Sequence, residues 1–190
     1  SDTIDGGAGS DVLQLSTGIH TFADDNKLKN VEKVQTHSSG SQVVLTGQTE
    51  AFTITGGVGA DTITGGGAAD TITGGAGADI IDSGAGADII IITTSGEADS
   101  DVIDGGADSD VLKLSTGSAD TFSTDNKLVN VETLQAHASG SQVVLTGQTE
   151  AFTITGGSGI DTITGGGAAD TITGGAGADI IDSGAGADII

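Results

Sequence analysis

In the most regular stretches of this chain, apolar side chains come one at a time, each between two polar neighbours. Thr62-Ile63-Thr64 and Thr71-Ile72-Thr73 alternate in this way, which predicts a short strand with Ile on one face and Thr on the other. Six residues such as Gly56 to Asp61 separate the triplets and predict tight turns, because Gly adopts the positive φ they need. From Gly56 the chain reads GGVGADTIT, GGGAADTIT, GGAGADIID and SGAGADIII. Asp falls sixth in each nine (Asp61, Asp70, Asp79, Asp88) and Ile eighth (Ile63, Ile72, Ile81, Ile90). Two nines predict one flattened coil, with a strand on each side and inward Ile, Leu and Val meeting between them. Turns 18 residues apart then stack on the same edge.

A second period of about 100 residues encloses the first: Ser41 to Ile90 recurs as Ser141 to Ile190, differing only at Val58/Ser158 and Ala60/Ile160. The earlier parts match more loosely, Asp11-Val12-Leu13 with Asp110-Val111-Leu112 and Asn26-Lys27-Leu28 with Asn126-Lys127-Leu128. We therefore expect two tandem units, 1–95 and 96–190, in one continuous solenoid. Both ends fall inside a short repeat, which suggests a segment of a longer array.

Composition narrows the chemistry. Five basic residues against 27 acidic ones give a net charge of −22, which excludes nucleic acid or an anionic membrane as a partner of a basic face. The longest apolar run, Ile89 to Ile92, is far too short for a membrane span. Cys, Met, Trp, Tyr and Pro are absent, so neither a disulfide framework nor a thiolate metal site is available. Stacking brings Asp61 near Asp79 and Asp70 near Asp88, about one strand spacing of ~5 Å apart, and none of the Lys residues lies within Gly56 to Ile91. A hard divalent cation between turns resolves that repulsion, since Ca²⁺ takes carboxylate and backbone carbonyl oxygens alike.

These in-phase units resemble the repeats-in-toxin nonapeptide GGxGxDxUx. The resemblance implies a right-handed parallel β-roll, an all-β fold with several Ca²⁺ ions between turns, held by Asp carboxylates and by carbonyls of the glycine-rich turns. Carried over to this chain, the side-chain ligands are Asp61, Asp70, Asp79, Asp88, Asp161, Asp170, Asp179 and Asp188. Asp101 and Asp110 read as further ligands stacked over the turns of Asp79 and Asp88, and Asp2 and Asp11 open the first unit in the same pattern. The implied carbonyl donors are Gly57, Gly59, Gly75, Gly77, Gly84 and Gly86.

Departures from the pattern carry information. Ala68 and Ala168 replace the fourth-place Gly, and Ser83 and Ser183 the first. Asp99 and Asp108, also in fourth place, read as edge decoration rather than ligands. Gly47 to Thr55 keeps the period with Phe52 at the Asp place, and Ser38 to Thr46 is expected to follow with Val43 there; both read as metal-free coils. For Leu15 to His37 two readings stand: a helix capped by Asp24 or Asp25 running through Leu28 and Val31, or a strand over Asn30 to Val34. We expect a loop with a short helical turn, then a strand.

His20, His37 and His137 are scattered without acidic or Cys partners at ligand spacing, and read as surface or packing residues. Glu50 and Glu150 join no catalytic arrangement, so no enzyme is expected. The paired outward Thr residues read as strand filler rather than an ice-binding face. Outward Ile80, Ile89 and Ile91 need covering, by Leu15 to His37 or by a neighbouring chain.

The expected function is a non-enzymatic, Ca²⁺-dependent structural repeat of an exported bacterial surface protein, such as a surface layer, adhesin stalk or filament. Type I secretion is implied by the resemblance. Self-association is expected, and cell-surface polysaccharide is a candidate partner. The alternative is a C-terminal secretion and folding block of an exported enzyme or toxin.

Overall fold

Most strands follow from the alternation, with a β-branched or Leu centre turned inward and the flanks outward; the exceptions at the centre are His20 and Asp120. The structure, a computed structural model, describes every residue except 1, 2, 95, 97 and 118. The predicted ligand Asp2 therefore lies outside the described residues. Among them there is no helix, and every paired strand is parallel, so the chain is an all-β solenoid.

One side of the solenoid is an unbroken nine-stranded sheet. It runs through Val12–Gln14, Lys33–Gln35, Thr53–Thr55, Thr71–Thr73, Ile89–Ile92, Val111–Leu114, Thr133–Gln135, Thr153–Thr155 and Thr171–Thr173. Its register aligns Val34, Ile54, Ile72, Ile90, Leu112, Leu134, Ile154 and Ile172 in one inward ladder, all of them buried. The opposite side carries Val43, Ile63, Ile81, Ile103 and Leu128, equally buried. The core is thus a thin seam of one or two aliphatic side chains per half-coil, with Leu45, Ile92 and Leu114 adding a second to Val43, Ile90 and Leu112.

The opposite side is broken into sheets of two, six and four strands. Each break occurs in a coil that carries two strands instead of one. Between Val12–Gln14 and Lys33–Gln35, the strand Ile19–Thr21 pairs forward with Gln42–Val44, whereas Leu28–Lys29 pairs backward with Ile4–Asp5. In the second unit Ala119–Thr121 pairs forward with Gln142–Val144, and Leu128–Val129 backward with Val102–Asp104.

Two expectations are corrected here. Leu15 to His37 contains no helix: Asp24 starts only a single turn, accepting the N–H of Lys27 on its carbonyl and that of Asn26 on its side chain, after which the chain enters two strands. The expected strand after it is present as Lys33–Gln35. Val43 is not at the Asp place. It aligns with Ile63 as an inward core residue, and Ser41 stands where Asp would. Phe52 does take the Asp place as expected, buried against the core.

Outward Ile80 is 52% exposed and Ile180 64%. Leu15 to His37 does not cover Ile80, whose strand neighbours are Thr62 and Val102.

Candidate metal centre

The residue before each inward triplet ends a turn, and its side chain reaches back to the turn before. This places carboxylates in single file along both edges of the roll. On one edge Asp61 Oδ1 accepts the N–H of Ser41 at 2.7 Å, Asp79 that of Asp61 at 2.8 Å, and Asp101 that of Asp79 at 2.9 Å. On the other, Asp70 accepts from Phe52, Asp88 from Asp70 and Asp110 from Asp88, each at 2.7 Å. The second unit repeats this with Asp161 on Ser141, Asp179 on Asp161, Asp170 on Phe152 and Asp188 on Asp170. A charge-assisted bond to a backbone N–H suits Asp, whose short side chain keeps the carboxylate at the turn that positions it.

Only one oxygen of each carboxylate is used this way. The second oxygen of Asp61 and of Asp70 returns to the N–H of Gly57 and Gly66 at 2.9 Å. Asp110 Oδ2 and Asp88 Oδ2 are buried without a donor; the hydroxyl beside Asp88, Ser83 Oγ, gives its proton to Gly105 O at 2.6 Å. Asp11 Oδ2 is in the same position at the start of the chain. Burying an anion without a full set of donors or a counter-charge is costly. Burial accordingly raises Asp70 to about 6, against N–H bonds from Gly66 and Phe52, with repulsion by Asp88 adding to it. Burial raises Asp110 to about 6 as well, helped by the charges of Asp88, Glu132 and Asp108. Asp88 is raised by burial and by Asp108 and Asp82.

The glycine-rich turns stack as tightly as the strands. At Gly75 φ is +104°, and an added β-carbon would collide with the carbonyl oxygen of Gly57, one turn below. Gly77 lies over Gly59, Gly84 over Gly66 and Gly86 over Ala68 in the same way. Gly57 O and Gly84 O also accept N–H groups from Ala76 and Ala107 in the turns above. Ala68 and Ala168 cause no strain, because neither has a positive φ. Asp99 is committed elsewhere: its Oδ1 accepts the backbone N–H and hydroxyl of Ser123, which hold it below the usual carboxylate range. Asp108, at φ +79°, accepts the Gly86 N–H at 3.2 Å and stands beside the Asp88 and Asp110 column.

Among the described residues no three acidic or histidine side chains converge on one point. A cation here would draw its shell from one or two carboxylates and from stacked turn carbonyls, an all-oxygen set that suits Ca²⁺. The orphaned oxygens and the close-set turns fit such an ion. The residues at the Asp place that sequence reasoning missed are Ser41, Ser141, Glu32 and Glu132. Their signal is the inward triplet that follows: Glu32-Lys33-Val34-Gln35 has the polar-apolar-polar form of Asp61-Thr62-Ile63-Thr64.

Fold and site together define an acidic parallel β-solenoid built to hold hard cations between its turns. The family model of the RTX calcium-binding nonapeptide repeat matches four stretches, 1–18, 55–90, 95–118 and 155–190, more than half of the chain, and the chain belongs to that family. No curated protein and no solved structure matches it. Among the described residues no helix is long and apolar enough to cross a membrane.

Proposed function

We propose that this calcium-binding repeat module is a non-enzymatic structural element of an exported bacterial surface protein, folded and stiffened by Ca²⁺ outside the cell. The observation that carries this reading is the pair of carboxylate columns beside a seam-like core. One buried Ile contributes about 2 kcal/mol, while fixing the backbone costs roughly 1–2 kcal/mol for each of the nine residues it serves. Stacked carboxylates add repulsion. Bound Ca²⁺ supplies the missing free energy and the missing positive charge.

The near-identical units, Ser41–Ile90 and Ser141–Ile190, suit an extended array whose work is mechanical. Exposed Val12, Ile80 and Ile180 give the outer faces an apolar component for lateral self-association once the charge is neutralised. Cell-surface polysaccharide is a second candidate partner. The test is light scattering and electron microscopy of the chain in chelator and in millimolar Ca²⁺. Calcium-dependent fibres or lattices are expected. A folded chain that stays monomeric at high concentration would favour a secretion and folding block instead.

A further inference from the structure

The carboxylate column on the Asp110 edge does not stop where the nonapeptide stops. Thr133 aligns with Val111, so Glu132 holds the place that Asp110 holds one turn earlier. Glu132 Oε2 accepts the N–H of Asp110 at 2.8 Å, the same bond Asp110 makes to Asp88. The first unit repeats it: Lys33 aligns with Val12, and Glu32 Oε2 accepts the N–H of Asp11 at 2.8 Å. Beyond each Glu the column ends, because Phe52 and Phe152 take the next place.

The turn before each Glu is rebuilt in miniature. In a regular coil, the carbonyl of a residue five before Asp faces the first Gly of the turn below. A β-carbon on Gly65 would collide with Ser83 O and lie 2.8 Å from Asp70 Oδ2. At Gly105 the colliding oxygen is that of Asn130, and Asp110 Oδ2 is again 2.8 Å away. Gly6 meets Asn30 O and, at 2.9 Å, Asp11 Oδ2. Three residues, Asn-Val-Glu, therefore present the carbonyl and carboxylate that the nonapeptide presents with six. Asn30 and Asn130 do this with φ of 51° and 53°, a left-handed conformation Asn tolerates. Their side chains hold it in place: Asn130 Nδ2 donates to Asp104 Oδ1 and Asn30 Nδ2 to Asp5 Oδ1, both at 2.7 Å.

We propose that Asn130-Val131-Glu132 and its copy Asn30-Val31-Glu32 are abbreviated calcium-binding turns, which lie outside the matched nonapeptides and close the ion column where the roll changes coil length. The ligands are the Asn130 carbonyl, a Glu132 carboxylate oxygen and Asp110 Oδ2, the last buried, without a donor and turned toward the same gap. Glu132 remains exposed, so its other oxygen is open to a ligand.

This inference rests on the calcium reading above, and the test separates the two. Calcium is counted by equilibrium dialysis on the full chain, wild type against E132Q and E32Q/E132Q. Gln keeps an acceptor for the Asp110 N–H and loses only the charge. The expected result is one ion fewer for E132Q and two fewer for the double variant, with strand content unchanged in saturating Ca²⁺. Equal ion counts and affinities would reduce Glu132 to a hydrogen-bond acceptor and overturn the proposal. If E132Q does not fold, calcium anomalous scattering from wild-type crystals decides: a peak between Asn130 O and Glu132 supports it, and peaks only at the nonapeptide turns refute it. A wild type that binds no calcium anywhere would instead remove the function proposed above.

Discussion

Asp120 shows what a single ionisable side chain does to a thin core. It stands at the inward place of Ala119–Thr121, aligned with Val143, and is fully buried; the first unit has His20 there. Burial raises its carboxyl to about 6, against the Gly96 N–H. The folded state thus holds a proton more tightly than the unfolded one, so this group favours folding below about pH 4 and opposes it as pH rises through about 6. Asp120→Asn is expected to gain about 1–2 kcal/mol at pH 7.5, where folding has to bury the wild-type carboxyl in its ionised form. The gain should vanish at pH 4, as urea midpoints of both proteins at both pH values will show. In the carboxylate columns, Asp79 links Asp61 below to Asp101 above, whereas Asp61 faces Ser41, which carries no charge. Asp79→Ala should therefore weaken calcium binding more than Asp61→Ala in parallel titrations; equal losses would argue against shared carboxylates.

Among the turns, close stacking matters more than positive φ. Gly7 and Gly75 both have positive φ, +87° and +104°, but a β-carbon on Gly7 meets nothing while one on Gly75 strikes the Gly57 carbonyl. Gly7→Ala should cost about 1 kcal/mol from strain alone. Gly75→Ala should cost at least about twice that, since two stacked backbones have to part. Thermal melts in saturating Ca²⁺ will rank them. The strands were legible wherever a polar-apolar-polar triplet followed Asp. Leu28–Lys29 was not, because two residues carry no periodicity and the strand exists only through its pairing with Ile4–Asp5.

For the whole roll, if cations lie between turns as proposed, each ordered turn would supply half of the next site, so folding and binding should be one cooperative event. Extracellular calcium modules bind at around 10⁻⁴–10⁻³ M. We expect the chain to lack strand signal in chelator and gain it steeply in millimolar Ca²⁺, by circular dichroism and calorimetry together. Strand content that is equal in both conditions, or binding without cooperativity, would contradict this.

The nine-residue period determined the all-β solenoid, the inward Ile ladder and the Asp places, because each depends on contacts within one turn and its strand. The tertiary structure decided the coils where that period lapses. It put Ser41 rather than Val43 at the Asp place, divided Leu15 to His37 into three strands, the first two of which pair in opposite directions along the roll, and brought Glu32 and Glu132 into the carboxylate columns. In those coils the partner of each N–H lies 20 to 22 residues away. Register there is set by the hydrogen bonds and core of the neighbouring turn, and a local triplet marks a strand without specifying the turn it pairs with.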